Sequence, residues 1–180
     1  MHRQNLRNLL DDYAVRYPLE SDCVQRFRLF LDSYADCFER SQLSGHVTGS
    51  AWLVNRAGTH VLLTHHRKLD LWVQLGGHAD GDTDILRVAL TEAQEESGIQ
   101  TLQIVSPQIF DLDIHPIPAR GAEPEHFHYD VRFALQTVDS DDYTLSAESK
   151  ALEWVDISRL AEKTNETSML RMAEKWLSAL

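Results

Sequence analysis

Residues 76–99 of this 180-residue chain, GGHADGDTDILRVALTEAQEESGI, constrain it more than any other stretch. Two glycines open it, an acidic loop follows, and the remainder reads as a helix ending at Gly98. Asp82 or Thr83 is expected to N-cap that helix, and Gly98 stands where a C′ glycine belongs. At about 100° per residue, Leu86, Ala89, Leu90 and Ala93 form an apolar stripe that must find cover. Glu92, Glu95 and Glu96 stand at i, i+3 and i+4, so their carboxylates cluster about a right angle away from it. Like charges at that spacing repel, and no basic residue stands four positions away to relieve them. Either this is a solvated acidic face, or a divalent cation gathers the carboxylates. Oxygen-only ligands suit Mg²⁺ or Mn²⁺.

Spacing separates the two readings. In the Nudix box a glycine is followed, after fixed intervals, by Glu, then by Arg-Glu-apolar-x-Glu-Glu-x-Gly-apolar. Gly77, Glu92, Ala93, Glu95, Glu96, Gly98 and Ile99 fall on these positions without a gap. The stretch therefore resembles a Nudix box, and the chain is similar to Nudix hydrolases. Thr83 replaces the first glutamate, and Thr91 replaces the arginine. Asp82 or Asp84 can substitute for the former, and Arg87, one turn back, in part for the latter.

The resemblance implies a metal-dependent hydrolase that cuts a phosphoanhydride in a nucleoside diphosphate linked to another group. Glu92, Glu95 and Glu96 would be catalytic and hold Mg²⁺ or Mn²⁺, with the Gly77 carbonyl as a further ligand. Glu148, in the loop before the last strand, is either one more acidic ligand or an exposed residue of a polar loop. The resemblance also implies an α/β/α sandwich with a mixed sheet over residues 46–180; residues 1–45, which the box does not reach, read from their own periodicity as a helical extension. Two rival readings remain: a non-catalytic module of the same fold that senses a nucleotide, and an isomerase of isopentenyl diphosphate. His46 before Trp52, and His78 after two glycines, resemble positions of that isomerase. Its catalytic cysteine, however, corresponds to Gly76, which argues against isomerase chemistry.

The remaining histidines raise a separate question. His126, His128 and Asp130 alternate, so a strand puts them on one face. They either contact phosphate or base, or help His46 and His78 form a second metal site. Arg67, Lys68, Arg120 and Arg132 are the basic residues expected near the substrate, with His78, His126, His128 and Asp130 lining it. Trp52, Trp72, Phe127 and Tyr129 either stack a base or fill the core.

The formal net charge of −11 argues against nucleic-acid binding and requires cations beside any phosphate-bearing small substrate. No apolar run approaches a membrane span, and the N-terminus carries no signal-peptide pattern. Cys23 and Cys37 fit a reducing cytoplasm better than a disulfide.

Along the chain, residues 1–40 read as two helices broken at Pro18. Leu6, Leu9, Leu10 and Tyr13 stripe the first, and Val24, Phe27, Leu31, Tyr34 and Phe38 the second, with Ser21 as its cap. This hairpin packs on the same domain, forms a homodimer surface, or closes over the substrate. Residues 46–55 and 60–66 read as a β-hairpin, and 71–75 as a short strand before the box. Strands are expected at 102–105, 108–114, 126–135 and 151–155, with a proline-rich loop over 115–125. A helical region follows from Asp156, its last helix striped by Leu170, Ala173, Trp176 and Leu177.

Overall fold

The structure, a computed structural model, describes residues 2–66, 70–121, 123–145 and 149–179. Two helices lead. Helix α1 (Gln4–Arg16) buries Leu6, Leu10 and Tyr13, and α2 (Ser21–Ser33) buries Val24, Phe27, Phe30 and Leu31. Pro18 opens the 3₁₀ turn between them, a position where a missing N–H costs nothing. Ser21 is the first residue of α2 and makes no capping bond, contrary to expectation. The second helix also ends sooner than its periodicity implied. Tyr34 and Phe38 lie beyond it, although Phe38 is still buried.

The strands are β1 (Gly45–Val54), β2 (His60–His66), β3 (Trp72–Val73) and β4 (Leu75–His78). After helix α3 (Ile85–Ser97) come β5 (Leu102–Ile104), β6 (Asp111–Ile117), β7 (His126–Thr137) and β8 (Ser149–Asp156). Helix α4 (Thr167–Ala179) closes the chain. All eight described strands form one mixed sheet, in which β1 and β7 pair in parallel and the other contacts are antiparallel. Strand β1 is buried along its whole length, as a strand with helices on both faces must be.

The expected hairpin is only a root. Strands β1 and β2 are in register at Val54↔Val61, and then β2 turns away to pair with β8. Strand β4 takes the vacated edge of β1, from Thr48↔His78 to Ala51↔Leu75. The box glycines therefore belong to a strand, not to a loop. Strand β6 lies three residues later than expected and takes His115, Pro116 and Ile117 out of the predicted loop. Pro116 fits there because one edge of β6 has no strand beyond it among the described residues.

The faces are distinct. A Cβ at Gly49 would come within 3.0 Å of Ile85 and Val88, so α3 lies directly on the centre of β1. The N-terminal hairpin shares this face. Phe30 stacks on Tyr129 of β7 at 3.9 Å between ring centres, and Phe27 meets the same ring edge-on at 5.4 Å. On the opposite face Trp52, Val54 and Ala134 pack with Met169, Met172 and Trp176 of α4. The result is the expected α/β/α sandwich, with the helical extension seated on it.

Candidate active site

Local chemistry fixes both ends of α3. Asp84 is the N-cap and accepts from the Arg87 amide at 3.2 Å, where Asp82 or Thr83 had been expected. Asp82 stands one link earlier. It accepts from the Asp84 amide at 2.9 Å and from the Arg87 side chain at 2.8 and 2.6 Å. Arg87 is thus committed to the loop rather than turned toward the glutamates. Gly98 takes the left-handed conformation, φ 73°, and its amide closes the helix on the Gln94 carbonyl.

The buried side of α3 comprises Ile85, Val88, Ala89, Ala93, Glu96 and Ser97, while Leu86 and Leu90 are half-buried. The helix is turned from the predicted stripe far enough to carry Glu96 inward. Its Oε2 accepts from the Gly76 amide at 3.2 Å. A Cβ at Gly77 would stand 2.3 Å from the Glu92 carboxylate, so only glycine lets β4 approach Glu92 this closely. Glu95 is exposed. The hard oxygen donors of Glu92 and Glu96, pressed against a bare strand backbone, have the chemistry a divalent cation of the Mg²⁺ or Mn²⁺ class requires.

The loop after β4 leans on the N-terminal segment. Arg40 pairs with Asp80, the Gly81 amide donates to the Phe38 carbonyl at 3.0 Å, and the Ala79 amide donates to Val47. These supports lie outside the motif, and sequence reasoning missed them because nothing in local spacing links residue 40 to residue 80.

The other face of β1 and β7 carries a polar strip. Asp130 is 1% exposed and accepts from Thr48 at 2.8 Å, Ser50 at 2.7 Å, Gln74 at 3.0 Å and Arg132 at 2.7 Å. Arg132 also reaches Asp111 and Asp113. Asp111 in turn holds Arg171 and Lys175 of α4. Burial works to raise the Asp113 pKa, but a hydrogen bond to His115 together with Arg132 and Arg171 holds it at about 2. Arg132 and Asp130, expected among the substrate contacts, are paired with each other and enclosed. Both are inside, and their polar atoms are spent on locking β1, β4, β6 and β7 together.

At the end of this strip the sheet gathers histidines. His46 and His128 are register partners on β1 and β7, His115 faces His128 across β6, and His78 ends β4. His126 lies two residues before His128, its Nδ1 hydrogen-bonded to the Pro124 carbonyl at 2.9 Å. The expected grouping of His126, His128 and Asp130 on one face holds, and it extends to His46, His78 and His115. The signal for His115 was present in the alternation of Asp111, Asp113 and His115, obscured because the expected strand stopped at residue 114 and left His115 to the loop. Of the other candidates, Arg67, Lys68 and Glu148 lie outside the described residues. Arg120 sits in an isolated bridge with Glu123. Trp52 is core, and Trp72 packs on His65 and under Lys163.

No helix among the described residues is long and apolar enough to cross a membrane. No curated protein matches the sequence significantly. The fold is shared with an Ap4A hydrolase from C. elegans, 19% identical, covering 74% of this chain and 96% of that one with a TM-score of 0.53. A MutT protein from Methanosarcina mazei Go1 aligns over 77% and 96% of the two chains, at 17% identity and a TM-score of 0.56. The NUDIX domain of Shewanella oneidensis NrtR, solved with ADP ribose, aligns over 84% and 97%, at 15% identity and a TM-score of 0.50. Residues 45–176 match the NUDIX domain family. The box on β4 and α3, the sandwich around it and this match over most of the chain agree: the protein belongs to the Nudix hydrolase family.

Proposed function

We propose that the protein hydrolyses a phosphoanhydride in a small nucleotide, of the type in which a nucleoside diphosphate is linked to another group. The observation that carries this is the packing of Glu92 and Glu96 against the Gly76–Gly77 backbone, which holds two carboxylates at a strand edge with no side chain in the way. Glu92, Glu95, Glu96 and the Gly77 carbonyl would hold Mg²⁺ or Mn²⁺. A bound ion of this kind neutralises phosphate charge and lowers the pKa of a water molecule. The protein's part is to fix the donors. The Gly76 amide orients Glu96 by donating to its Oε2. Gly77 keeps Glu92 at the strand, and the Asp82–Arg87 and Arg40–Asp80 pairs hold the intervening loop. The Ap4A and ADP ribose named for two of the similar proteins are both phosphoanhydride nucleotides, which supports this substrate class.

The test is product release from a panel of nucleoside diphosphate derivatives and dinucleoside polyphosphates with Mg²⁺, with Mn²⁺ and with chelator. Cleavage of at least one member is expected, abolished by chelator and by Glu96→Gln. The reading fails if no member is cleaved, and metal-dependent nucleotide binding without turnover would make the protein a sensor.

A further inference from the structure

Among the described residues, one group of three potential ligands has its donor atoms within 4.8 Å of one another, and it is not the glutamates. It is His46, His78 and His128. Their ring centres are 4.9, 4.9 and 5.0 Å apart, and each ring comes from a different strand of the rigid sheet centre. Zinc–imidazole bonds of about 2.0–2.1 Å need the three nitrogens about 2 Å from a common point, whereas a triangle of side 4.8 Å has its centre about 2.8 Å from each corner. Ring rotations of under about 1 Å close that gap, within ordinary side-chain adjustment.

Neither nitrogen of His46 and not Nε2 of His128 makes a hydrogen bond of normal geometry, although all three atoms are buried. Leaving a buried polar atom unpaired is costly, so three in one cluster require an explanation. Neutral imidazole is the form that binds a divalent ion. Arg40 and Asp80, the latter on the loop after His78, are paired with each other. His115 and His126 flank the group, with their Nδ1 atoms already engaged by Asp113 and Pro124.

We infer that His46, His78 and His128 form a binding site for a borderline divalent transition ion, of which Zn²⁺ is the type. Three neutral nitrogens suit Zn²⁺, Fe²⁺, Co²⁺ or Ni²⁺ and are poor ligands for Mg²⁺. With three protein ligands a fourth position stays open to water or an oxygen ligand. The site is separate from the carboxylates. Gly49 and its partner Gly77 face α3, so His78, the next residue, faces the other side of the sheet with Thr48 and His46. The inference does not depend on the proposed hydrolysis.

Metal-free, untagged protein titrated with Co²⁺ tests it. The expected result is one tight equivalent with the intense visible absorption of a four-coordinate nitrogen site, displaced by Zn²⁺. Mg²⁺ should not displace it. His78→Ala should weaken binding by more than about 100-fold, since loss of even an outer partner of a metal ligand costs 10–100-fold. Glu96→Gln should leave the spectrum unchanged. Because a histidine variant can lose its fold, the wild-type protein gives a second reading. In ¹⁵N-histidine NMR, Zn²⁺ should shift three rings and leave those of His2 and His60 in place. No tight Co²⁺ binding, a weak octahedral spectrum lost in Glu96→Gln, or Zn²⁺ shifts absent from three rings would each overturn the site.

Discussion

Gly77 is the residue on which the carboxylate centre turns. Its place on β4 brings backbone so near to Glu92 that a single methyl would occupy the space of the carboxylate. The obstacle is the end of a flexible side chain, so Gly77→Ala should fold, with stability within about 1 kcal/mol of wild type. Glu92 must then move by about an ångström, and misplacement of that size costs about 10²-fold in rate. Steady-state kinetics with a saturating divalent ion checks this, and a variant with full kcat would remove Glu92 from the proposed centre. The motif joining Gly77 to the glutamates was legible because its spacing follows one strand and one helix. The sequence did not foresee the burial of Arg132 and Asp130, whose residue types suggested substrate and which the fold pairs inside. The reason is physical: alternation along β7 identifies a face, and only tertiary packing decides whether α4 covers that face. His126 and His128 share the face with Asp130, yet they lie toward its other end, where the cluster forms.

At the scale of elements, α3 and β1 form the unit that carries the site. Gly49 allows the helix to sit on the strand, and a Cβ there would reach Ile85 Cγ2, the Ile85 carbonyl and Val88 Cγ1, each at 3.0 Å. Gly49→Ala should lift α3 by a few tenths of an ångström. The cost should be about 1–3 kcal/mol, typical of overpacking, with turnover falling because the glutamates travel with the helix. Thermal melts and kinetics measured together test the coupling. A fully stable Gly49→Ala variant would mean that α3 is not seated as described. Helix ends and strand positions were largely legible, since Gly98, Pro18 and the apolar runs mark them. Pairing was not. The turn at 56–59 indicated a hairpin, but local turn chemistry cannot foresee that β4 takes the same edge of β1 and leaves only Val54↔Val61 to the hairpin.

Across the whole molecule, the N-terminal helices are part of the folded body. Phe27 and Phe30 meet Tyr129, the Gly81 amide bonds to Phe38, and Lys175 of α4 reaches both Tyr13 and Glu20. All four tryptophans lie after residue 45, so their fluorescence reports the sandwich alone. If the chain unfolds as one unit, Phe27→Ala, which empties a fully buried site, should cost about 3–5 kcal/mol and lower the tryptophan-detected midpoint by on the order of 10 °C. An unchanged midpoint would show a hairpin that melts independently. The parallel pairing of β1 with β7 also bears on how the protein is made. Thr48 meets Asp130, 82 positions further along the chain, and Phe30 finds its stacking partner only when Tyr129 arrives. While the chain is synthesised from its N-terminus, the two leading helices and β1 are exported with their apolar sides open until β7 follows. Long-range closure of this kind is slow. The nascent chain's exposure to aggregation is therefore set by a strand beginning two-thirds of the way along it.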